Sequence, residues 1–145
     1  MSLKNAANIN VSASDGGDII VNARNIDILE ESVLIAGIGQ DLGTPETVAG
    51  DITLNATGEI KVAGVGSGIR NFVTLGAKGN GGNITINSSS LTLEDSALLA
   101  ASNLGQGNAG NIIIDARENV LFDGANAFSG IGNEAVGNAG NISIH

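Results

Sequence analysis

The chain repeats itself. The phrase Gly-[Asn/Asp]-Ile-x-[Ile/Leu/Val] occurs five times. It reads Gly17-Asp18-Ile19-Ile20-Val21, Gly50-Asp51-Ile52-Thr53-Leu54, Gly82-Asn83-Ile84-Thr85-Ile86, Gly110-Asn111-Ile112-Ile113-Ile114 and Gly140-Asn141-Ile142-Ser143-Ile144. Positions 18, 51, 83, 111 and 141 are 33, 32, 28 and 30 residues apart. A unit of this size cannot bury its apolar face alone, so it must stack on its neighbours.

Each phrase alternates apolar and polar residues, the period of a strand. A second alternation follows: Ile26-Asp27-Ile28, Ile60-Lys61-Val62, Leu91-Thr92-Leu93 and Val120-Leu121-Phe122. A third is clearest in two units, where Glu30-Glu31-Ser32-Val33-Leu34-Ile35-Ala36 matches Glu94-Asp95-Ser96-Ala97-Leu98-Leu99-Ala100 letter by letter. Gly-rich runs close the units, and 37–49 and 64–81 read as loops leaving the scaffold. No segment carries a useful helical period.

The pattern predicts an all-β parallel solenoid of about four coils of 28–33 residues, with three short strands per coil. Coils start near 18, 51, 83, 111 and 141 and fill residues 17–145. Residues 1–16 form an irregular segment or a truncated coil, because Asn8-Ile9-Asn10-Val11 breaks the period. Ile19, Ile52, Ile84, Ile112 and Ile142 should form one inward column, and Val21, Leu54, Ile86, Ile114 and Ile144 the next. Residues 20, 53, 85, 113 and 143 should face out. Asp27 and Lys61 share a slot and should pair across adjacent strands. At the corner before each first strand, Gly17, Gly50, Gly82, Gly110 and Gly140 are expected to supply positive φ. Asp18, Asp51, Asn83, Asn111 and Asn141 should serve the same turn and stack as a ladder.

Composition agrees. Three Phe, with no Trp or Tyr, suit an interior too narrow for many rings, and 42% apolar residues argue against disorder. A net charge of −9 argues against nucleic acid, which needs a basic footprint, and against electrostatic docking on anionic lipid. Without Cys there is no disulfide framework or thiolate metal site. No apolar run approaches the ~18 residues of a transmembrane span.

The residues offer little chemistry. Arg24 and Arg117 share a repeat position but stand three coils apart, with Thr57 and Ser89 between them. The column Asn22, Asn55, Asn87, Asp115 holds one acid, whereas glycoside hydrolysis needs two at roughly 5–9.5 Å. An acidic corner (Glu30, Glu31, Glu94, Asp95, Asp123) is interrupted by Ala63-Gly64. Asp15-Gly16-Gly17-Asp18 faintly matches a calcium-binding repeat but does not recur, so it reads as a turn with at most weak calcium affinity. Gly64-Val65-Gly66-Ser67-Gly68 lacks the Lys and helix of a phosphate loop. His145 has no second His. No catalytic, cofactor-binding or metal residue is assigned.

The stretch GNGGNITINSSSLTLEDSALLAASNLGQGNAGNIIIDA (79–116) resembles the repeats of filamentous-haemagglutinin-like exoproteins. The resemblance covers 17–145 and is strongest over 79–145. It implies a right-handed parallel β-helix and an extracellular or cell-surface passenger of two-partner secretion, exported through a partner outer-membrane transporter. That family's secretion domain carries Asn-Pro-Asn motifs, and here the sole Pro is Pro45. The implied role is the shaft of an adhesin, with host-cell, matrix or glycan contact. The rivals are a glycan-active β-helix enzyme fragment and a repeat module with no binding activity of its own. The stop in mid-phrase at His145 leads us to expect a segment of a longer protein. Its uncapped coils should self-associate end to end or by an edge.

Overall fold

The computed structural model describes all 145 residues. It has no helix, and its strands are β1 (Ser2–Leu3), β2 (Asn8–Asn10), β3 (Ile19–Ala23), β4 (Ile26–Leu29), β5 (Val33–Ile38), β6 (Ile52–Ala56), β7 (Glu59–Ala63), β8 (Gly68–Val73), β9 (Ile84–Glu94), β10 (Leu98–Asn103), β11 (Ile112–Asp123), β12 (Asn126–Ile131) and β13 (Ile142–Ile144). Every pairing is parallel, and each joins a strand to its counterpart about one repeat away. The chain is a β-solenoid of about four turns with three strands per coil. Its first face holds β3, β6, the first halves of β9 and β11, and β13. Its second holds β1, β4, β7 and the second halves of β9 and β11. Its third holds β2, β5, β8, β10 and β12. Residues 1–16 belong to the stack: β1 lies in register on β4, and β2 on β5.

The repeat fixes the core. Ile19, Ile52, Ile84, Ile112 and Ile142 are consecutive Cα partners up the first face, and Val21, Leu54, Ile86, Ile114 and Ile144 repeat this two residues on. The middle members of both columns are fully buried, whereas Ile142 and Ile144 are 41% and 52% exposed because nothing covers the last strand. The second face adds Ile28, Val62, Leu93 and Phe122, and the third adds Leu34, Ile69, Leu99 and Ala127. These side chains meet in one cluster along the axis. Burying an Ile or Leu this fully contributes about 1.5–3 kcal/mol. On the outer surface of the first face, Ile20 is exposed, and Thr53, Thr85, Ile113 and Ser143 are half-buried.

Two expectations fail. Residues 64–81 do not form one loop, since 68–73 are β8, the third strand of the second coil. Its Gly68 hid the strand pattern, yet a Cβ there would sit 2.5 Å from the Leu98 carbonyl oxygen. The letter match between 30–36 and 94–100 is also one residue out. Leu34 aligns through Ile69 with Leu99, so Leu99 is buried and Leu98 is the outward residue. A one-residue slip exchanges the faces of a strand, and the register of the Ile columns carries through the corner over the similarity of the acids.

That corner is tightly built. Leu29 accepts a hydrogen bond from the Ser32 N–H (3.1 Å), and Glu94 from the Ala97 N–H (3.1 Å). The central pairs have positive φ: 55° and 63° at Glu30 and Glu31, and 53° and 67° at Asp95 and Ser96. These are type I′ turns, which favour Asn-Gly. Buried serines support two such corners from the next coil: Ser32 Oγ accepts the Ala7 N–H at 3.1 Å, beside the left-handed pair Asn5 and Ala6, and Ser67 Oγ the Glu31 N–H at 3.0 Å.

Three variants test this reading of the core and the corner. Ile84→Ala should open a cavity in mid-column and destabilise by about 2–5 kcal/mol in urea unfolding, against about 0.5–1.5 kcal/mol for Ile84→Val. Asp95→Asn with Ser96→Gly should relieve left-handed strain of roughly 1 kcal/mol and raise Tm by about 2–4 °C. A lowered Tm would mean that the acidic side chains hold the corner.

Candidate functional site

The most organised polar feature is a ladder along the axis just before the first face. Asp18 Oδ1 accepts the Asp51 N–H at 2.8 Å, and Asp51 Oδ1 accepts the Asn83 N–H at 2.6 Å. Asn83 Oδ1 accepts both the N–H and the Nδ2 of Asn111, each at 3.0 Å, and Asn111 Oδ1 accepts the Asn141 N–H at 2.9 Å. Each of Asp18, Asp51, Asn83 and Asn111 thus satisfies the backbone donor one coil on. A second ladder, Asn80, Asn108 and Asn138, has the same geometry at 2.9 and 3.0 Å. Sequence reasoning missed it, although the repeated Gly-Asn of Gly79-Asn80, Gly107-Asn108 and Gly137-Asn138 was its signal. On the outer first face, Asn55 Nδ2 donates to Asn22 Oδ1 and Asn87 Nδ2 to Asn55 Oδ1, both at 2.8 Å. Asp115 follows in register but has no N–H₂ to extend this run.

The glycines beside the first ladder act differently from the expectation. None of Gly17, Gly50, Gly82, Gly110 and Gly140 has positive φ. A Cβ on Gly82 would lie 2.1 Å from the Gly50 oxygen, and one on Gly110 would lie 1.8 Å from the Gly82 oxygen. Gly is required by the close approach of successive coils. The ladder residues Asp18, Asp51, Asn83, Asn111 and Asn141 likewise avoid the left-handed region. The glycine and ladder positions thus lead into the strand without a left-handed residue of their own.

The remaining candidates stay apart. Arg117 stands at a bulge in β11 and donates from Nη2 to the Thr57 carbonyl at 2.7 Å, spanning the coil between. Asp18 is engaged in the ladder. Gly64 and Gly66, with φ of 98° and 84°, form a corner closed by Arg70 Nη2 on the Gly66 carbonyl at 2.9 Å. His145 joins the main-chain ladder beside Ile114 and Ala116. No three His, Asp or Glu side chains gather as a metal would require.

The acidic corner is partly taken up by local bonds. Glu30 Oε2 accepts the Asn5 N–H at 3.0 Å. Asp27 and Lys61 are register partners, but the Lys61 ammonium lies 2.5 Å from Glu94 Oε1 on the following strand. Glu94 sits diagonally to Lys61 on a longer side chain, so it reaches the ammonium where the short Asp27 does not. The Glu94 hydrogen bond and charge hold the Lys61 amine above its usual pKa. Thr92 Oγ1 to Glu59 Oε1, at 3.1 Å, completes this exposed patch.

The one concavity lies at the C-terminal end of the stack. It is a groove of about 370 Å³ lined by Phe122, Ala125, Asn126, Ala127, Ile142 and Ile144. Its lining holds no acid, base or nucleophile. Buried Asn103 was invisible to the strand pattern, being an inward polar residue in an apolar column. It anchors the next loop, with Nδ2 2.6 Å from the Gly107 carbonyl and Oδ1 2.7 Å from the Gly105 N–H.

No family model, curated protein or solved structure matches this chain.

The ladders yield a paired test by chemical denaturation. Asn83→Ala removes the acceptor of two Asn111 donors and should cost about 1–3 kcal/mol. Asp115→Asn adds the missing donor to Asn87 and should stabilise by roughly 0.5–1.5 kcal/mol, while Asp115→Ala gives no such gain.

Proposed function

We propose that this chain is a shaft segment of a surface-exposed adhesin: a rigid spacer that carries and displays binding regions. One observation carries the reading. The apolar columns and the first amide ladder run in register from the first full coil to β13, so neighbouring coils are locked by both core and backbone. Outward positions are free to vary, as Ile20, Thr53, Thr85, Ile113 and Ser143 do in a single slot. Such a stack resists bending and tolerates sequence change outside, which is what a spacer requires. The resemblance to filamentous-haemagglutinin-like repeats supports the surface location and the two-partner export route.

Two measurements test this. Antibody raised against the chain should label intact producing cells; labelling only after permeabilisation would reject a surface role. Deleting residues 83–110 joins Gly82 to Asn111 and removes one coil in phase. The remaining chain should fold, shorten by about 4.8 Å in solution scattering, and leave adhesion by cells displaying it unchanged. Loss of adhesion by a correctly folded deletion would place a binding site on the deleted coil.

A further inference from the structure

The outward side of the third face differs from the other two. On the second face the outward slots include Asp27, Lys61 and Glu94, and on the first they hold the run Asn22, Asn55, Asn87 and Asp115. On the third face, β5 presents Val33, Ile35 and Gly37, β8 presents Gly68, Arg70 and Phe72, and β10 presents Leu98, Ala100 and Ser102. No carboxylate stands among these nine, in a chain of net charge −9. Each of the three strands is paired on both sides. Ile35, Phe72 and Leu98 are nevertheless only half-buried.

We propose that two copies of the chain pair side by side through this face, parallel and level with each other, about a two-fold axis that runs between them along the stack. Such an axis makes the contact self-complementary: if one residue meets another, the second meets the first. Here it exchanges the first and last outward slots of each strand. Phe72 lies opposite Gly68 of the second copy, Leu98 opposite Ser102, and Val33 opposite Gly37, so large meets small at all three levels. The middle slot meets itself, and Ile35 and Ala100 are apolar there. Arg70, the one charge, is drawn off the axis. Its Nη2 donates to the Gly66 carbonyl at 2.9 Å, so the side chain runs back past Gly68, which has no side chain in the way. At that place the Phe72 ring of the second copy meets the guanidinium, a cation–π contact. Opposed copies, turned about β8, would instead set Val33 on Leu98, Phe72 on Phe72 and Gly37 on Ser102, which is bulk on bulk and gap on gap. Face-to-face sheets pack about 10 Å apart when their side chains interdigitate, as the level arrangement allows. Contact through either other face would bring carboxylates of two negatively charged chains together. The pairing does not depend on the spacer role.

Sedimentation of the unaltered chain over a concentration series should show monomer passing to dimer. Phe72→Lys and Leu98→Lys each replace an outward side chain, and each should abolish the dimer while leaving circular dichroism unchanged. Ser102→Glu, which stands opposite Leu98 of the second copy, should do the same. Mixing Leu98→Lys with Ser102→Glu should restore a one-to-one dimer, because the introduced lysine of one chain meets the introduced glutamate of the other. A second measurement covers the case in which Ser102→Glu fails to fold. The chain has no Cys of its own, so nitroxides can be placed on the outer first face through Thr53→Cys or, separately, Ile113→Cys. The two labelled dimers should give the same distance between copies, since the axis keeps every coil level with its counterpart. Strictly monomeric behaviour of the unaltered chain overturns the proposal. So does undiminished association of the Phe72→Lys and Leu98→Lys variants, which would place the contact on another surface. Folded Leu98→Lys and Ser102→Glu chains that do not pair on mixing, or unequal nitroxide distances, would mean a different arrangement and would also overturn it.

Discussion

Everything in this molecule depends on one contact, the parallel in-register pairing of a strand with its counterpart one coil away. It brings identical positions to the same height, so one side chain per repeat becomes a column. An isoleucine column excludes water from its middle members, because each side chain covers the one beneath. An asparagine column does the polar equivalent, its oxygen taking the next backbone N–H. The same contact forbids a Cβ at the glycine column, where the main chain of one coil presses on that of the next.

This contact also decides where the chain can deviate. The first face admits only Ile at its first inward slot. The corner between the second and third faces varies: it uses left-handed pairs at Asn5-Ala6, Glu30-Glu31 and Asp95-Ser96, and glycines at Gly64 and Gly66. The corner between the first and second faces absorbs an extra residue as a bulge around Arg117. Such irregularities can be accommodated at corners because the strands on either side hold the register.

Functional inference follows from what the coils present outward. Amides, hydroxyls and isolated charges alternate there, and charged groups engage other coils, as Lys61 does with Glu94 on the next coil and Arg117 with Thr57 two coils away. The polar work of the chain is mainly to satisfy its own stack.

The sequence by itself determined the strands of the first two faces, their inward columns and the amide ladder, because a five-residue phrase with an apolar residue at alternate positions permits one buried side. It was silent or misleading where identity and geometry part. Gly68 conceals a strand, because its lack of a side chain reads as a loop but serves a close approach. The acids of 30–31 and 94–95 align by letter but not in space, because the register of the neighbouring strands fixes the slot. The glycine column looked like a source of left-handed turns and proved to be a requirement of coil spacing. Lys61 chose Glu94 over Asp27 because reach across a diagonal depends on side-chain length and coordinates. Periodicity is a property of the chain alone, whereas clash, reach and register at a corner exist only once two coils are in contact, and these the tertiary structure decided.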